Sequence, residues 1–543
     1  MIDALRRKRG RFVVVGLGRI GRRVVSLLIQ LGAEVVVVTA RTRDDWLEDA
    51  REAGATVFLG DGRDGRVLAK AGIEIADALI VATDGDLVNL EIALDARRLR
   101  ADLPIVARIF DQTLARHVEG SLGLRRAIGV SDVAAPVFAA ASLGERVAGA
   151  FVLDDVSMVL SLPPGGGEPI LESRDAWAKR LAVKIPPRER PPGRLVEAAR
   201  FLRRFFGNAP RGLRAIGLVL LFLVITSVAV FHYALGISVV DAIYFVITTV
   251  TTTGYGDITA RGGGIAIELY ACLLMLLGSA STAVIYSFVT DFVVAERVEG
   301  LAGKRPLPDR DHVIVAGMGE IGNHVCSELA RTGVPFLVVD RSAEAEHAEA
   351  ARAGGAFLVG DARVGLLLDE ARVRTARAVV AVTGDDAVNL GIALEAKTLS
   401  PGLRAVVRLF DPELARKVEH GMGIDAVMSA SSIAAPAFVA AALYPDAFAA
   451  TALPDGLLVL REIRVTAAGP EETAGDRAAA EGGTLMLYAP PGKSFAPVDP
   501  GERLTKGGRL VITVRESLAD GAQTFAASSA ERARTALETE AGA

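Results

Sequence analysis

Two stretches of the chain are apolar from end to end, whereas elsewhere apolar positions come in short runs set between polar ones. Ala215 to Phe231 (AIGLVLLFLVITSVAVF) and Leu269 to Thr290 (LYACLLMLLGSASTAVIYSFVT) carry no charged residue. The first is near the minimum length for a helix that crosses a bilayer, and the second is comfortably long. Between them, Asp241 to Thr253 is apolar and threonine-rich but too short to span. It predicts a re-entrant helix, because irregular backbone at membrane depth is tolerated only where it is buried in protein or lines a water-filled path. Further out, runs such as 11–15, 34–38, 56–59, 78–82 and 104–108 are nearly continuous in Val, Ile and Leu and alternate with helical stretches. That alternation predicts a parallel sheet covered on both faces by helices.

The flanks of the apolar region repeat each other. Residues 11–40 read RFVVVGLGRIGRRVVSLLIQLGAEVVVVTA and residues 312–341 read HVIVAGMGEIGNHVCSELARTGVPFLVVDR. The correspondence continues through Gly60-Asp61 with Gly360-Asp361, Asp86-Leu87-Val88-Asn89-Leu90 with Asp386-Ala387-Val388-Asn389-Leu390, Ala107 to Asp111 with Val407 to Asp411, and Pro136 with Pro436. The spacing is that of a duplicated domain rather than of a solenoid unit. Outside the repeat, residues 184–211 are rich in proline and arginine and predict a linker followed by a basic amphipathic helix on the inner membrane surface. Residues 456–515 alternate strands with turns and predict a small α+β appendix to the second copy. Residues 519–543, rich in Ala, Ser, Glu and Thr, predict a tail.

Composition narrows the class. A chain of 543 residues with 51% hydrophobic residues suits two to four domains, with a small membrane part joined to soluble ones. The net charge of -4 gives no global footprint for nucleic acid. The two cysteines, Cys272 and Cys326, exclude a disulfide framework and a cysteine-based zinc site, and they suit a reducing cytosol. Met1 to Arg11 is basic but lacks the apolar core and cleavage site of a signal peptide. Arg200, Arg203, Arg204, Arg211 and Arg214 crowd the approach to the first span, while the loop between spans holds Asp241, Asp257 and Arg261. The positive-inside rule then puts both flanks, and both termini, in the cytosol of a multi-pass protein of the cell membrane.

The short apolar helix runs into Thr252-Thr253-Gly254-Tyr255-Gly256-Asp257. A dehydrated K⁺ ion needs a ring of oxygens to replace its water, and a glycine-rich strand aims successive carbonyls at one axis. Thr252, Thr253, Gly254 and Tyr255 would hold the ion, Tyr255 would brace the loop with its side chain, and Asp257 would draw cations to the mouth. The segment resembles the signature of two-transmembrane-helix potassium channels, over residues 213–295, with Thr253 where that family most often has valine. The resemblance implies a homotetramer, since a filter needs four such loops. Gly278, mid-way down the second span, reads either as a gating hinge or as a small residue for close packing beside Ser279, Ala280 and Ser281.

The repeat carries its own chemistry. Gly16, Gly18 and Gly21 follow a strand and open a helix, as do Gly317, Gly319 and Gly322. This is the setting a nucleotide phosphate requires: a tight turn, close backbone approach and a helix N-terminus facing the anion. The copies differ where a ligand would sit. Asp340 ends the second strand of the second copy, where a carboxylate grips ribose hydroxyls, and Arg341 follows it. The first copy has Thr39, followed by Ala40 and Arg41, which would instead favour an extra phosphate. After the second glycine stand Arg19-Ile20 in the first copy and Glu320-Ile321 in the second. Arg19 would hold a terminal phosphate, whereas Glu320 would repel one unless a cation intervenes. The second site is expected to bind NAD(H) or an adenine nucleotide. The first binds something more phosphorylated or nothing.

The whole repeat resembles the domains that regulate potassium conductance (RCK or KTN, TrkA-N-like). The shared features are the glycine loop, Asp61 and Asp361-Ala362 after the third strand, Thr83 and Thr383-Gly384-Asp385 after the fourth, and the run at Arg108 and Arg408; the appendix resembles the TrkA-C-like lobe. The first copy shows no clear counterpart of that lobe. The resemblance implies nucleotide binding, a possible divalent cation, and an eight-domain cytosolic ring built by four chains. The expected fold is an α-helical two-span membrane pore flanked by two α/β Rossmann-like domains, with a small α+β C-terminal lobe. Its boundaries are 1–155 for the first domain, 156–212 for the linker and basic helix, 213–295 for the pore, 296–310 for a second linker, 311–445 for the second domain, 446–518 for the lobe and 519–543 for the tail. The expected function is a potassium-selective, ligand-gated channel and not an enzyme. The alternatives are a nicotinamide-dependent oxidoreductase, for which no catalytic constellation is seen near either loop, and a regulatory subunit of a separate potassium transporter.

Overall fold

The computed structural model describes residues 10–163, 169–184, 211–301, 307–345, 347, 354–410, 412–453, 455–467, 469 and 471–518. The linker and basic helix expected between 184 and 211, and the tail from 519, lie outside them. The chain divides into two compact units, one formed by 1–185 with 305–543 and the other by 186–304.

The first copy is β1 (Arg11–Val15), α1 (Arg19–Gln30), β2 (Glu34–Thr39), α2 (Asp44–Glu52), β3 (Thr56–Leu59), α3 (Gly65–Lys70), β4 (Ala78–Val81), α4 (Asp86–Leu99), β5 (Ile105–Arg108), α5 (Gln112–Ser121), β6 (Arg126–Ile128) and α6 (Val130–Ser142). Its sheet has the order β3-β2-β1-β4-β5-β6, with every pairing parallel. Val13 and Val14 are wholly buried in β1, as unbroken apolar strands with helices on both faces should be.

The chain then makes β7 (Val147–Leu153), β8 (Val156–Ser161), β9 (Ile170–Ser173) and α7 (Arg174–Lys184). These strands form an antiparallel sheet. Asp154 and Asp155, at φ 51° and 60°, form the two-residue turn of the β7–β8 hairpin, a turn type in which both central residues take positive φ. Two expectations need correction here. The boundary at 155/156 cuts this hairpin, and the first copy does carry a truncated lobe, matching the hairpin from 447 to 464 at the repeat's own spacing. The misreading has a physical source: Asp-Asp is a weak turn signal beside Asn-Gly or Asp-Gly.

The second unit holds α8 (Arg211–Leu235), α9 (Val239–Val250) and α10 (Ile265–Leu301). Within them, 217–235 and 265–284 are long and apolar enough to span a membrane. The short apolar helix expected over 241–253 is α9, and it ends at Val250 rather than Thr253, because Thr251 caps it and the next residues turn away. Phe231 of α8, Phe245 of α9 and Leu274 of α10 are buried together, while Leu218, Phe222 and Leu276 are about 70% exposed (68%, 70% and 70%). Large apolar side chains left outside in this number need a lipid or protein cover.

The second copy repeats the first: β10 (Val313–Ala316), α11 (Glu320–Arg331), β11 (Phe336–Asp340), β12 (Ala356–Val359), α12 (Gly365–Glu370), β13 (Ala378–Ala381), α13 (Asp386–Leu399), β14 (Arg404–Arg408), α14 (Pro412–Gly421), β15 (Ala426–Met428) and α15 (Ala430–Leu443). The strand order is again 3-2-1-4-5-6, as β12-β11-β10-β13-β14-β15. The lobe follows as β16 (Ala447–Leu453), β17 (Gly456–Arg464), α16 (Ala474–Ala480), β18 (Thr484–Ala489) and β19 (Arg509–Ser517), an antiparallel sheet in the order β16-β17-β19-β18.

The two copies exchange their last helices. Helix α6 of the first copy packs on α11 and against β13 and β14 of the second. In return α15 of the second packs on α1 and against β4, β5 and β6 of the first. One apolar core therefore runs through both, with Val24, Leu28 and Phe138 of the first copy alongside Val325, Leu329 and Phe438 of the second. The truncated lobe packs on the full one through Phe151 and Leu160 against Leu458 and Val511.

Candidate functional site

The loop after α9 is held from below. Thr253 and Gly254 both donate their amides to the Thr248 carbonyl, at 2.9 and 3.1 Å, and the Thr253 hydroxyl lies 2.9 Å from that of Thr251. The Tyr255 ring stacks on Tyr244 of α9, 6.3 Å between centroids and 5° from parallel. Thr252, Gly254 and Gly256 take φ of 59°, 55° and 80°, so left-handed residues alternate with ordinary ones along the loop. Ile258 donates its amide to Asp257 at 3.1 Å. Gly278 sits within α10, where an added Cβ would stand 3.0 Å from a Val250 methyl. It is a close-packing point between α10 and the end of α9.

In the soluble unit, a cleft of about 460 Å³ opens over the second copy. It is lined by Gly317, Gly319, Glu320 and Ile321 of the glycine loop, Asp340 and Arg341, Asp361 and Ala362, Thr383, Gly384 and Asp385, and Arg408. Gly317 takes φ 102°, and a Cβ on Gly322 would lie 2.0 Å from the Gly317 carbonyl oxygen. Gly322 thus sets the turn without lining the cleft. Asp340 accepts from the Met318 amide at 2.7 Å and the Ser342 amide at 2.9 Å. Asp361 accepts from Arg363 and Arg341 at 2.8 and 2.9 Å, and these guanidiniums, Arg363 first, hold its carboxyl far below the usual range. Asp385 caps α13 by accepting the Val388 amide.

Asn389 is a residue the sequence reading did not single out. It is wholly buried. Its carbonyl oxygen accepts from the Thr383 amide and hydroxyl, and its amide donates to the Thr383 and Arg408 carbonyls. It ties the loops after β13 and β14 together beneath the cleft. The identical Asn89 does the same for Thr83 and Arg108. A buried asparagine kept at the same place in both copies was the signal that could have found it.

The first copy keeps the turn and changes the rest. Gly16 takes φ 98°, Gly18 precedes α1 as its N-cap, and a Cβ on Gly21 would lie 1.8 Å from the Gly16 oxygen. Ile20 is buried in the shared core. Thr39 is buried and its hydroxyl donates to the Arg41 carbonyl at 3.0 Å. Thr42 donates to the Leu17 carbonyl at 3.0 Å. Asp61 is paired with Arg63, which lowers its pKa. Arg19 does not stand free: its guanidinium lies 3.3 Å over the ring of Phe410 of the second copy. Arg108, expected at the first site, lines the second-copy cleft together with Phe110, Val130 and Ser131.

Helix α11, which starts at the cleft, is also anchored across the joint. His324 lies 2.9 Å from Asp132 of α6, and this bond raises the imidazole pKa. Glu320, which would repel a phosphate unless a cation intervenes, has the imidazoles of His347 at 3.2 Å and His324 at 3.8 Å. Glu328 pairs with Arg174, the first residue of α7, at 3.1 Å with both side chains largely buried. Burial pushes the carboxyl up and the guanidinium down.

The TrkA-N domain pattern matches residues 12–129 and again 313–430, and an ion channel domain pattern matches 218–295. Two archaeal relatives from Methanocaldococcus jannaschii are similar. "Probable potassium channel protein 2" is 26% identical over 36% of this chain and 60% of its own length, and "Potassium channel protein 1" is 24% identical over 37% and 62%. The chain thus spans about three fifths of those proteins. "Trk system potassium uptake protein TrkA" of Mycobacterium tuberculosis is 35% identical over 22% of this chain and 53% of its own. A solved structure described as "GsuK Channel" aligns with a TM-score of 0.48 at 17% identity, over 95% of this chain and 78% of that chain. The chain carries two TrkA-N domains of Rossmann-like fold, one on either side of an ion-channel domain with two candidate membrane spans.

Proposed function

We propose that this chain is the subunit of a homotetrameric potassium channel whose TrkA-N domains form a cytosolic ring of eight and gate the pore on binding an adenine nucleotide. The observation that carries the reading is the Thr252 to Asp257 loop, set between two spans and straight after a short apolar helix. In one chain the Tyr255 side of that loop is open, with Tyr255 71% exposed. Four copies around an axis would turn the carbonyls of Thr252 to Tyr255 into successive rings for K⁺. Both termini lie in the cytosol on the charge asymmetry of the flanks.

The second-copy cleft is the regulatory site in this reading. Asp340 and the glycine loop suit a ribose and its phosphates. Domain relatives in potassium channels and potassium uptake proteins support the pairing of such a cleft with K⁺ flux. A ligand gates only if it binds the open and closed rings with different affinity. Gly278 serves as the hinge only if α10 can leave Val250 there. In planar bilayers, the purified protein is expected to carry K⁺ current that changes when NAD, NADH, ADP or ATP is perfused on the cytosolic side. A K⁺ current indifferent to all four would leave a pore without this control, and no current would remove the channel reading.

A further inference from the structure

We infer that Arg108 of the first TrkA-N domain and Arg408 of the second jointly hold the phosphate groups of one nucleotide in the second-copy cleft, so that the ligand bridges the joint between the copies. The inference rests on the nucleotide reading of that cleft and adds which residues hold the anion. Both arginines line the cleft, yet their surroundings differ. Arg108 has a carboxylate partner, with its Nη1 2.5 Å from Asp84 and 3.2 Å from the Thr83 carbonyl. The position that corresponds to Asp84 is Gly384, so Arg408 lacks that partner. The Nε of each arginine is buried without a hydrogen bond. Burial and the nearby Arg19 and Arg108 push the Arg408 guanidinium pKa down to about 10, with Asp386 pulling the other way.

The carboxylates of the cleft are already served by protein donors. Asp340 takes two backbone amides, Asp361 two arginines, and Glu320 faces His347 and His324. Arg408 therefore lacks a counter-charge, whereas Arg108 and the carboxylates of the cleft have partners. A largely buried guanidinium that has only the Phe410 ring and no counter-charge is unfavourable, and phosphate oxygens match its fork. The first copy thus completes a site on the second, while its own Arg19 and Thr39 are engaged elsewhere.

Calorimetry on the full-length protein in detergent tests this with adenosine, AMP and ADP. In the wild type, each phosphate-bearing ligand is expected to bind at least tenfold more tightly than adenosine, the scale of a charge-assisted hydrogen bond. Arg108→Gln should weaken ADP about tenfold and leave adenosine unchanged. Asp84→Gly, which releases Arg108, should tighten ADP severalfold. Gly384→Asp, at a position where a Cβ meets nothing, should give Arg408 a partner and weaken ADP; it serves where Arg408→Gln does not fold. Unchanged ADP affinity in Arg108→Gln, or an equal loss for adenosine, would overturn the bridging role and leave the nucleotide reading intact. Failure of every adenine ligand to bind the wild type would remove both.

Discussion

At the scale of single residues, the two copies share their scaffold and differ in what they offer a ligand. Gly16 and Gly317 make the same turn, and Asn89 and Asn389 make the same four bonds. Thr39 and Asp340 correspond in position and differ in surroundings: one hydroxyl is bonded to its own loop, while the carboxylate sits at the cleft. Removing a buried asparagine leaves the Thr383 amide and the Arg408 carbonyl without partners, at about 1–3 kcal/mol for each buried group. Asn389→Ala should therefore lower the melting temperature of the soluble unit by several degrees, and Asn89→Ala by a similar amount. A melting curve unmoved by either would mean the loops are held by something else.

The sequence made the contrast of Thr39 with Asp340 legible, because the repeat aligns the two positions. It did not show that Arg108 faces the other copy's cleft, or that Arg19 stacks on Phe410. Both depend on how the copies dock, and periodicity within one copy carries no information on that. The histidine at Glu320 was hidden for another reason: His347 lies in the same copy but 27 residues away in sequence.

At the scale of elements, the exchange of α6 and α15 is what makes one core from two domains. The strands and their parallel pairing were legible from unbroken valine runs alternating with helical stretches; their order was not. The exchange was not legible, because α6 and α15 are alanine-rich and buried nearly all round, with no polar face to show which sheet they cover. Helix α11 connects the cleft to α6 through His324–Asp132 and to α7 through Glu328–Arg174. Breaking a buried pair by removing one partner costs about 3–5 kcal/mol, while replacing both with apolar residues costs far less. Glu328→Ala should thus destabilise the protein strongly, and Arg174→Met with Glu328→Leu should recover most of the loss. Equal damage from single and double variants would show that the pair contributes by its own attraction.

The His324 bond carries a pH signature of definite sign. Its folded-state pKa lies above the ordinary value, so its contribution is complete below about pH 6.5 and fades as pH rises through the raised value. The difference in melting temperature between wild type and His324→Gln should be largest at pH 6 and shrink towards pH 9. A difference that grows with pH would contradict the assignment of Asp132 as the partner.

At the scale of the whole molecule, an ion-channel domain and two unequal TrkA-N domains share one chain. The TrkA-N copies share a core that either copy alone would leave open, and the ion-channel domain leaves the Thr252 to Asp257 loop and large apolar side chains such as Phe222 and Leu276 exposed. Placing Rossmann-like domains beside a filter loop makes ion flux under nucleotide control the economical account of both. In the proposed channel the Thr252 to Asp257 loop selects K⁺, with Thr253 bonded sideways to Thr251 rather than intruding on the carbonyls. The most direct test is the reversal potential of single-channel current from the purified protein in a bilayer with K⁺ on one side and Na⁺ on the other. The expected reversal lies close to the K⁺ equilibrium potential and is lost in Gly254→Ala; a reversal near zero in the wild type would mean that the loop does not select K⁺.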